Sequence, residues 1–383
     1  MALEGVPELG IGIAGFGFIG KVHTNGFKNL QLFYAPPPAT CRMVGVCTSR
    51  QQTAEKARQI GGFEFGTTRF EDLLERDDID VIDVATPNSL HRDQVIAALE
   101  AGKHVYCDKP LTVSLDDARA IVEAARAHPE LSHGMAFQCR FIPGTMRARQ
   151  LIEDGFLGHV YHFRAAYLHA GYADPTRPVT WRLAEGGGCL ADLGSHIIDL
   201  MRYLLGDYVA VRGTTKTWVT ERPSADDRSK MLPVEVDDYV ALEAEMKSGA
   251  FGILEASRYA TGTQDQVEFQ VYGDRGALKW SMMEADWLYA YDETAPGGEL
   301  GGMQGFTQIA TVQKYPPPHA LPSSKQNVGW MRYHMHSIFD FLTAVTGREL
   351  GTATLYDGAH AQAVDEAVKA SAESGRWEPV TEI

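Results

Sequence analysis

Asp192 and His196 lie four residues apart in Gly186-Gly187-Gly188-Cys189-Leu190-Ala191-Asp192-Leu193-Gly194-Ser195-His196-Ile197-Ile198-Asp199. If both are helical they share one face about a turn apart. A carboxylate beside an imidazole fixes its orientation and favours its protonated form. Such a pair suits a general acid/base working near neutral pH, although a capping Asp beside a core His fits the same spacing. Asp199 reads as a structural partner. A third candidate is Lys109, in Cys107-Asp108-Lys109-Pro110, where an apolar run is stopped by proline. A lysine there projects either from a strand end into a ligand crevice or simply into solvent. Hydride transfer needs a base for the departing hydroxyl proton, a positive group for the alkoxide, and a nicotinamide face. His196 and Lys109 supply the first two, provided that the fold brings them together.

The third requirement points to Gly15-Phe16-Gly17-Phe18-Ile19-Gly20, which joins an apolar run to a helix-like stretch. Gly15 makes the tight turn, Gly17 lets the backbone approach a pyrophosphate, and Gly20 lets helix and strand pack closely. The helix start at Phe18 and Ile19 then faces the phosphates. A flexible glycine loop is the alternative, but the strand-to-helix setting favours a dinucleotide site. The second strand should end near Cys47, where an NAD site usually carries a carboxylate for the ribose hydroxyls. Here Thr48-Ser49-Arg50 follow, with no carboxylate before Glu55. Arg50 can grip a 2′-phosphate, with Thr48 and Ser49 donating to it. The expected cofactor is therefore NAD or NADP, leaning to NADP; solvated loop residues with NAD use through Ser49 are the other reading. Thr86-Pro87-Asn88 closes another strand, where Asn88 can bond ribose or carboxamide. His91 either touches phosphate or starts the next helix.

These residues need an α/β frame. Strand and helix signals alternate over residues 1–142, as a doubly wound parallel sheet requires. Candidate strands are Leu9–Ala14, Met43–Cys47, Val81–Ala85, His104–Cys107 and Gly134–Cys139. From 143 to 383 the runs His159–Leu168, Val209–Val219, Tyr239–Met246, Gly249–Arg258 and Val267–Tyr272 alternate, which predicts a second domain with a mostly antiparallel sheet. Late helices are expected over Ser195–Leu205, Met331–Val345 and Tyr356–Ser374, with proline- and glycine-rich loops at Ala35–Ala39, Ala295–Gly305 and Tyr315–Pro322.

The net charge of −15 disfavours nucleic-acid and anionic-membrane partners. No apolar run reaches the length of a membrane span. The start Met1-Ala2-Leu3-Glu4-Gly5 has no signal-peptide pattern. Five scattered cysteines without metal spacing suit a reducing compartment. A cytoplasmic protein without a metal site is expected.

Taken together, the motifs resemble the Gfo/Idh/MocA family of sugar oxidoreductases along essentially the whole chain. They run from Gly15-Phe16-Gly17-Phe18-Ile19-Gly20 through Ala85-Thr86-Pro87-Asn88, Asp108-Lys109-Pro110 and Gly187-Gly188 to Asp192-Leu193-Gly194-Ser195-His196. Ser371-Ala372-Glu373-Ser374-Gly375-Arg376-Trp377 completes the set. Asp108 stands where the family carries Glu, with a shorter reach towards the nicotinamide ribose. The resemblance implies a Rossmann domain, then an α/β domain whose large open sheet serves a homodimer or homotetramer. It also implies a Lys109–Asp192–His196 catalytic set: His196 as acid/base, Lys109 holding the reacting oxygen, Asp192 positioning substrate or His196. Tyr167-Leu168-His169 and Thr180-Trp181-Arg182 resemble the levoglucosan dehydrogenase-like glycoside 3-dehydrogenases, which implies oxidation at a ring C3 hydroxyl of a sugar or polyol. By that likeness Trp181 and Arg182 lie beside the cofactor, and Tyr167 or His169 beside the sugar. Gln138, as a cofactor residue, and Arg140, as a substrate residue, are placed at the end of the last Rossmann strand. Two other functions use such a scaffold: an NAD-dependent glycosidase that retains its cofactor through oxidation and elimination, and a non-enzymatic cofactor sensor. A sensor has no need of Lys109, Asp192 and His196 together.

Overall fold

Strand β1 (Glu8–Ala14) is buried at its last five positions in succession, the pattern of a strand covered on both faces rather than one. A computed structural model describes residues 5–184, 186–312, 315–323, 325–348 and 351–383 of the chain. Met1–Glu4, on which the signal-peptide reading rests, lie outside the described residues. The chain forms two compact units, one of residues 1–141, 313–359 and 383, the other of 142–312 and 360–382.

In the first unit β1 is followed by α1 (Phe18–Asn29), β2 (Thr40–Cys47), α2 (Gln51–Gly61), β3 (Phe65–Thr67), α3 (Glu71–Leu74) and β4 (Val81–Val84). Then come α4 (His91–Glu100), β5 (His104–Cys107), α5 (Leu115–Ala127) and β6 (His133–Met135). Among the described residues these six strands make one sheet in the order β3-β2-β1-β4-β5-β6, every pair parallel. The order reverses between β1 and β4, and ligands bind outside the carboxyl ends of strands at such a point. The last strand is shorter than Gly134–Cys139: after Met135 the chain turns into a single 3₁₀ turn, Gln138–Phe141.

The second unit opens with α6 (Pro143–Glu153), β7 (Val160–Leu168) and α7 (Ser195–Leu205). It continues through β8 (Tyr208–Lys216), β9 (Glu221–Pro223), β10 (Met231–Pro233), β11 (Tyr239–Met246), β12 (Phe251–Ser257), β13 (Gln266–Gly273), β14 (Gly276–Ser281), β15 (Trp287–Asp292) and β16 (Thr307–Ala310). Among the described residues nine strands, closing with β17 (Glu378–Pro379), form a sheet ordered β16-β15-β14-β13-β7-β12-β11-β8-β17, and β9 pairs with β10 alone. Every neighbour in the large sheet is antiparallel except β7 and β12. Burial alternates along β11 and β13, so one face is covered and the other open, as period-two patterning dictates.

Helices α8 (Trp330–Val345) and α9 (Leu355–Ser374) follow. The sequence reading kept 313–359 with the second domain; in the structure this segment packs in the first unit. Met335, Ile338, Phe339, Phe341 and Leu342 of α8 join Ile11, Ile13, Phe27, Tyr34 and Tyr106 in one core. Gly26 of α1 makes this close approach possible, because a Cβ there would lie 2.4 Å from Ile338 Cδ1. The two proline-rich loops meet as well: Ala35 N donates to Pro318 O and Ala320 N to Phe33 O. Buried Arg332 sits among the rings of Phe33, Tyr34 and Tyr315 at 5.1, 4.6 and 4.9 Å.

Candidate active site

The glycine turn separates packing from ligand access. Gly15 has φ +93°, and a Cβ on it would come within 2.4 Å of Ala85 O; on Gly20 it would meet Gly15 O at 2.2 Å. Those two glycines are demanded by the fold itself. Gly17 is not: its φ is −73° and a Cβ would meet no atom within 4 Å. The bare backbone at Gly17 therefore leaves open the space at the start of α1 that a pyrophosphate needs. Phe18 begins α1, is 69% exposed, and stacks on Trp330 with ring centroids 5.6 Å apart. Ile19 is half-buried beside it.

At the end of β2, Ser49 and Arg50 are exposed and Thr48 is half-buried. Thr48 Oγ1 donates to Arg50 O at 3.2 Å, and Arg50 caps α2 through its backbone. Glu55, the first carboxylate along the chain after β2, is paired with Arg58 at 2.7 Å. After β4, Thr86 Oγ1 donates to Gln94 Oε1 at 2.6 Å, and Asn88 is buried with its amide near Thr112 O. His91 starts α4, the second of its two readings, and does more: its Nδ1 is 3.1 Å from both Pro110 O and Leu111 O, and its Nε2 is 2.9 Å from Thr86 O. Burial lowers its pKa. The ring thus sits between the Thr86 loop and the loop after Lys109, and its single N–H in the neutral form donates to one side of that gap. Asp108 is buried at the end of β5 and Lys109 is half-buried. Gln138 and Arg140 lie in the 3₁₀ turn, each 3% exposed. Gln138 Oε1 finds no hydrogen-bond partner among the described residues. Arg140 pairs with Asp357 Oδ1 at 2.9 Å and donates to Thr352 O. Those partners tie Arg140 into the first unit.

The second unit gathers the other candidates. Gly188, at φ +94°, leaves no room for a Cβ beside Asp237 Oδ1. The chain then winds through a π-helical turn, Leu190–Gly194, straight into α7. Such turns recur at functional sites. Asp237 holds this turn from outside: Leu190 N donates to its Oδ2 at 2.7 Å and Cys189 N to its carbonyl at 2.8 Å. Burial raises the Asp237 carboxyl to about 6.

His196 is 4% exposed on α7, with its ring centroid 5.6 Å from that of Tyr167 on β7. Tyr167 OH donates to Asp265 Oδ1 at 3.2 Å. His169 Nδ1 accepts from Gly171 N at 2.9 Å. Burial lowers the His169 pKa against the pull of Asp192 and Asp265, with Arg258 and Arg177 adding to the lowering. Asp192 is held at both oxygens: Arg258 Nη2 donates to Oδ2 at 3.1 Å, and Arg182 Nε lies 3.6 Å from Oδ1. Trp181, 37% exposed, carries the Arg182 guanidinium 4.3 Å from its ring centre. Asp192, His196, Tyr167, His169, Trp181 and Arg182 thus surround one region of this unit. Asp265, Asp237, Arg258 and Tyr172 belong to it too and were missed by the sequence reading. Among the described residues no cluster of three His, Cys, Asp or Glu side chains could hold a metal, and no helix is long and apolar enough to cross a membrane.

Residues 9–133 match the family model described as an oxidoreductase family with an NAD-binding Rossmann fold, and residues 145–279 match the GFO/IDH/MocA C-terminal domain. The chain is 31% identical to levoglucosan dehydrogenase of Pseudarthrobacter phenanthrenivorans, covering 99% of this chain and 100% of that protein. It is 27% identical to myo-inositol 2-dehydrogenase of Thermotoga maritima over 70% of this chain and 74% of that one. A solved structure of levoglucosan dehydrogenase with NADH and L-sorbose superposes with a TM-score of 0.93 at 31% identity, covering 99% and 100% of the two chains.

Proposed function

The chain belongs to the GFO/IDH/MocA family of NAD-binding oxidoreductases, and from that premise we propose that it oxidises a ring hydroxyl of a sugar, polyol or glycoside, at C3. The observation that carries this reading is the buried His196 imidazole beside Tyr167, with an arginine-held Asp192 on the turn before it, in a chain similar over its full length to levoglucosan dehydrogenase.

The residues present fit a dinucleotide, since Gly17 leaves its surroundings open and Gln138 keeps a buried amide oxygen without a partner among the described residues. Gly15, Gly17, Phe18 and Ile19 would hold the phosphates, Thr48, Ser49 and Arg50 the adenosine ribose, and Thr86, Pro87, Asn88, Asp108 and Gln138 the nicotinamide side. When bound, the cofactor supplies the hydride acceptor. His196 takes the hydroxyl proton onto its imidazole, a step that contributes about 10²–10⁴-fold when well placed. Lys109 holds the reacting oxygen through its ammonium and offsets the charge that develops there. Asp192 accepts a hydrogen bond from substrate, and Tyr167 and His169 contact the ring. At the ribose end, the exposed Arg50 is the residue that would admit a 2′-phosphate, so NADP is used alongside NAD.

The open face of the large sheet, with Phe251 and Ile253 exposed, is the surface on which a homodimer or homotetramer would form. Free, mostly buried cysteines suit a reducing cytoplasm. The test is to titrate NADH and NADPH side by side by fluorescence, then to screen inositols, monosaccharides and anhydrosugars with the preferred oxidised form. Growth of reduced-nicotinamide absorbance on a ring polyol supports the reading. Tight cofactor binding with no turnover on any of them refutes it.

A further inference from the structure

Arg258 is fully buried and lies just beyond β12, on the side where Gly252, Leu254 and Ala256 are buried. Its guanidinium is spent on three neighbours. Nη2 donates to Asp192 Oδ2 at 3.1 Å, Nη1 donates to Arg182 O at 3.1 Å, and Cζ lies 4.7 Å from the ring centre of Tyr172. Arg177 lies 4.4 Å from the same ring. Nε has no hydrogen-bond partner among the described residues.

From this we infer that Arg258 is a positioning residue for the proposed reaction: it fixes the Asp192 carboxylate, so that Asp192 meets substrate as an oriented anion while proton transfer falls to His196. The inference rests on the hydride-transfer reading above. Arg182 cannot replace it, because Arg182 stands further away at 3.6 Å, is 35% exposed and shares its guanidinium with the Trp181 ring. Labour is divided at the π-helical turn: Asp237 holds its backbone through Leu190 N, and Arg258 holds its one carboxylate. Lysine would keep the charge but has a single nitrogen in place of the two that reach Asp192 and the Arg182 carbonyl here. A buried guanidinium deprived of its carboxylate, or the reverse, is an uncompensated charge. The two residues must therefore act as a unit.

Arg258→Met, Arg258→Lys, Asp192→Asn and the Met/Asn double variant are compared in the full-length protein. The readouts are kcat and KM on the sugar or polyol that wild type turns over, the Kd for NADH, and thermal melting. Arg258→Met should lower kcat about 100-fold, as removal of an orienting partner does at its upper range, with the NADH Kd within twofold of wild type. The double variant should be no slower than Asp192→Asn alone and should melt above either single variant. Arg258→Lys should recover at least about fivefold over Met. The inference is overturned if Arg258→Met keeps kcat within about threefold of wild type, or if the two losses multiply in the double variant. If the Met variant does not fold, the same cycle is run with Arg258→Lys. A wild type that turns over no sugar or polyol refutes the proposed function instead; the melting cycle then decides alone, and additive shifts overturn the pairing.

Discussion

Replacing Gly15 and Gly17 by alanine, one at a time, should break different things although the two lie only two residues apart. Gly17 has φ −73°, and its added methyl meets no protein atom within 4 Å. Removing glycine's excess freedom from the unfolded chain favours Gly17→Ala by about 0.4–1 kcal/mol. Alanine ranks well below glycine at an N-cap, which costs about 0.5–1 kcal/mol, so the two terms nearly cancel and stability should stay within about 0.6 kcal/mol of wild type. The methyl instead stands in the space that a pyrophosphate must enter. If displacing the phosphates costs about 1–3 kcal/mol, as overpacking does, the Kd for NADH should rise roughly 5- to 150-fold. At Gly15, φ +93° alone costs an alanine about 1–2 kcal/mol. The 2.4 Å approach to Ala85 O adds about 1–3 more, because backbone rather than a flexible side chain must move. Gly15→Ala should therefore lose about 2–5 kcal/mol of stability before cofactor enters the question. Urea unfolding without cofactor and fluorescence titration with NADH separate the two. A Gly17→Ala protein that binds NADH within twofold of wild type would falsify the idea that this backbone faces the phosphates. One as destabilised as Gly15→Ala would show that the space beside it is not open.

Other outcomes follow from the same geometry. His196→Ala should lose about 10²–10⁴-fold in kcat while its NADH Kd is unchanged, and near-normal turnover would remove it from the acid/base role. Arg50→Ala should weaken NADPH binding far more than NADH binding; equal losses would mean that Arg50 only caps its helix. Asp237, raised from 3.8 to about 6 by burial, keeps a proton in the folded chain that the unfolded chain has already released. Stability from this group is therefore full below about pH 4 and lost as pH rises to about 6, a change of about 3 kcal/mol at ~1.4 per unit. Asp237→Asn cannot titrate, so its stability relative to wild type should improve by about that amount between pH 4 and pH 7; parallel pH curves for the two proteins would rule this out.

Much of the frame could be read from patterning because patterning is local. The unbroken apolar run before Gly15 marks a strand buried on both faces, and the alternation of Tyr239–Met246 marks one buried on a single face. What escaped depends on partners distant in sequence. Nothing near His91 announces that three carbonyls will surround its ring, and Arg140 meets Asp357 only across 217 positions. Helix α8 is apolar on its core side, but no local signal says which of two cores it joins. Arg258 left a trace that was there to be used. In Phe251–Ser257 the buried residues Gly252, Leu254 and Ala256 alternate before Ser257 is buried as well, and continuing the alternation by two lands on Arg258. A charge on the buried parity of a strand requires a carboxylate nearby, and Asp192 is that carboxylate.

The placement of α8 in the core of the first unit has a consequence for biosynthesis. Ile11, Phe27 and Tyr106 emerge early from the ribosome, but the side chains that cover them, such as Ile338 and Phe341, come more than 200 positions later. At about 5–20 residues per second, the nascent nucleotide-binding sheet waits roughly 10–40 s with part of its apolar surface uncovered. During that interval it is a client for chaperones, and a gene fragment ending near residue 142 should yield aggregate rather than a free-standing nucleotide-binding module.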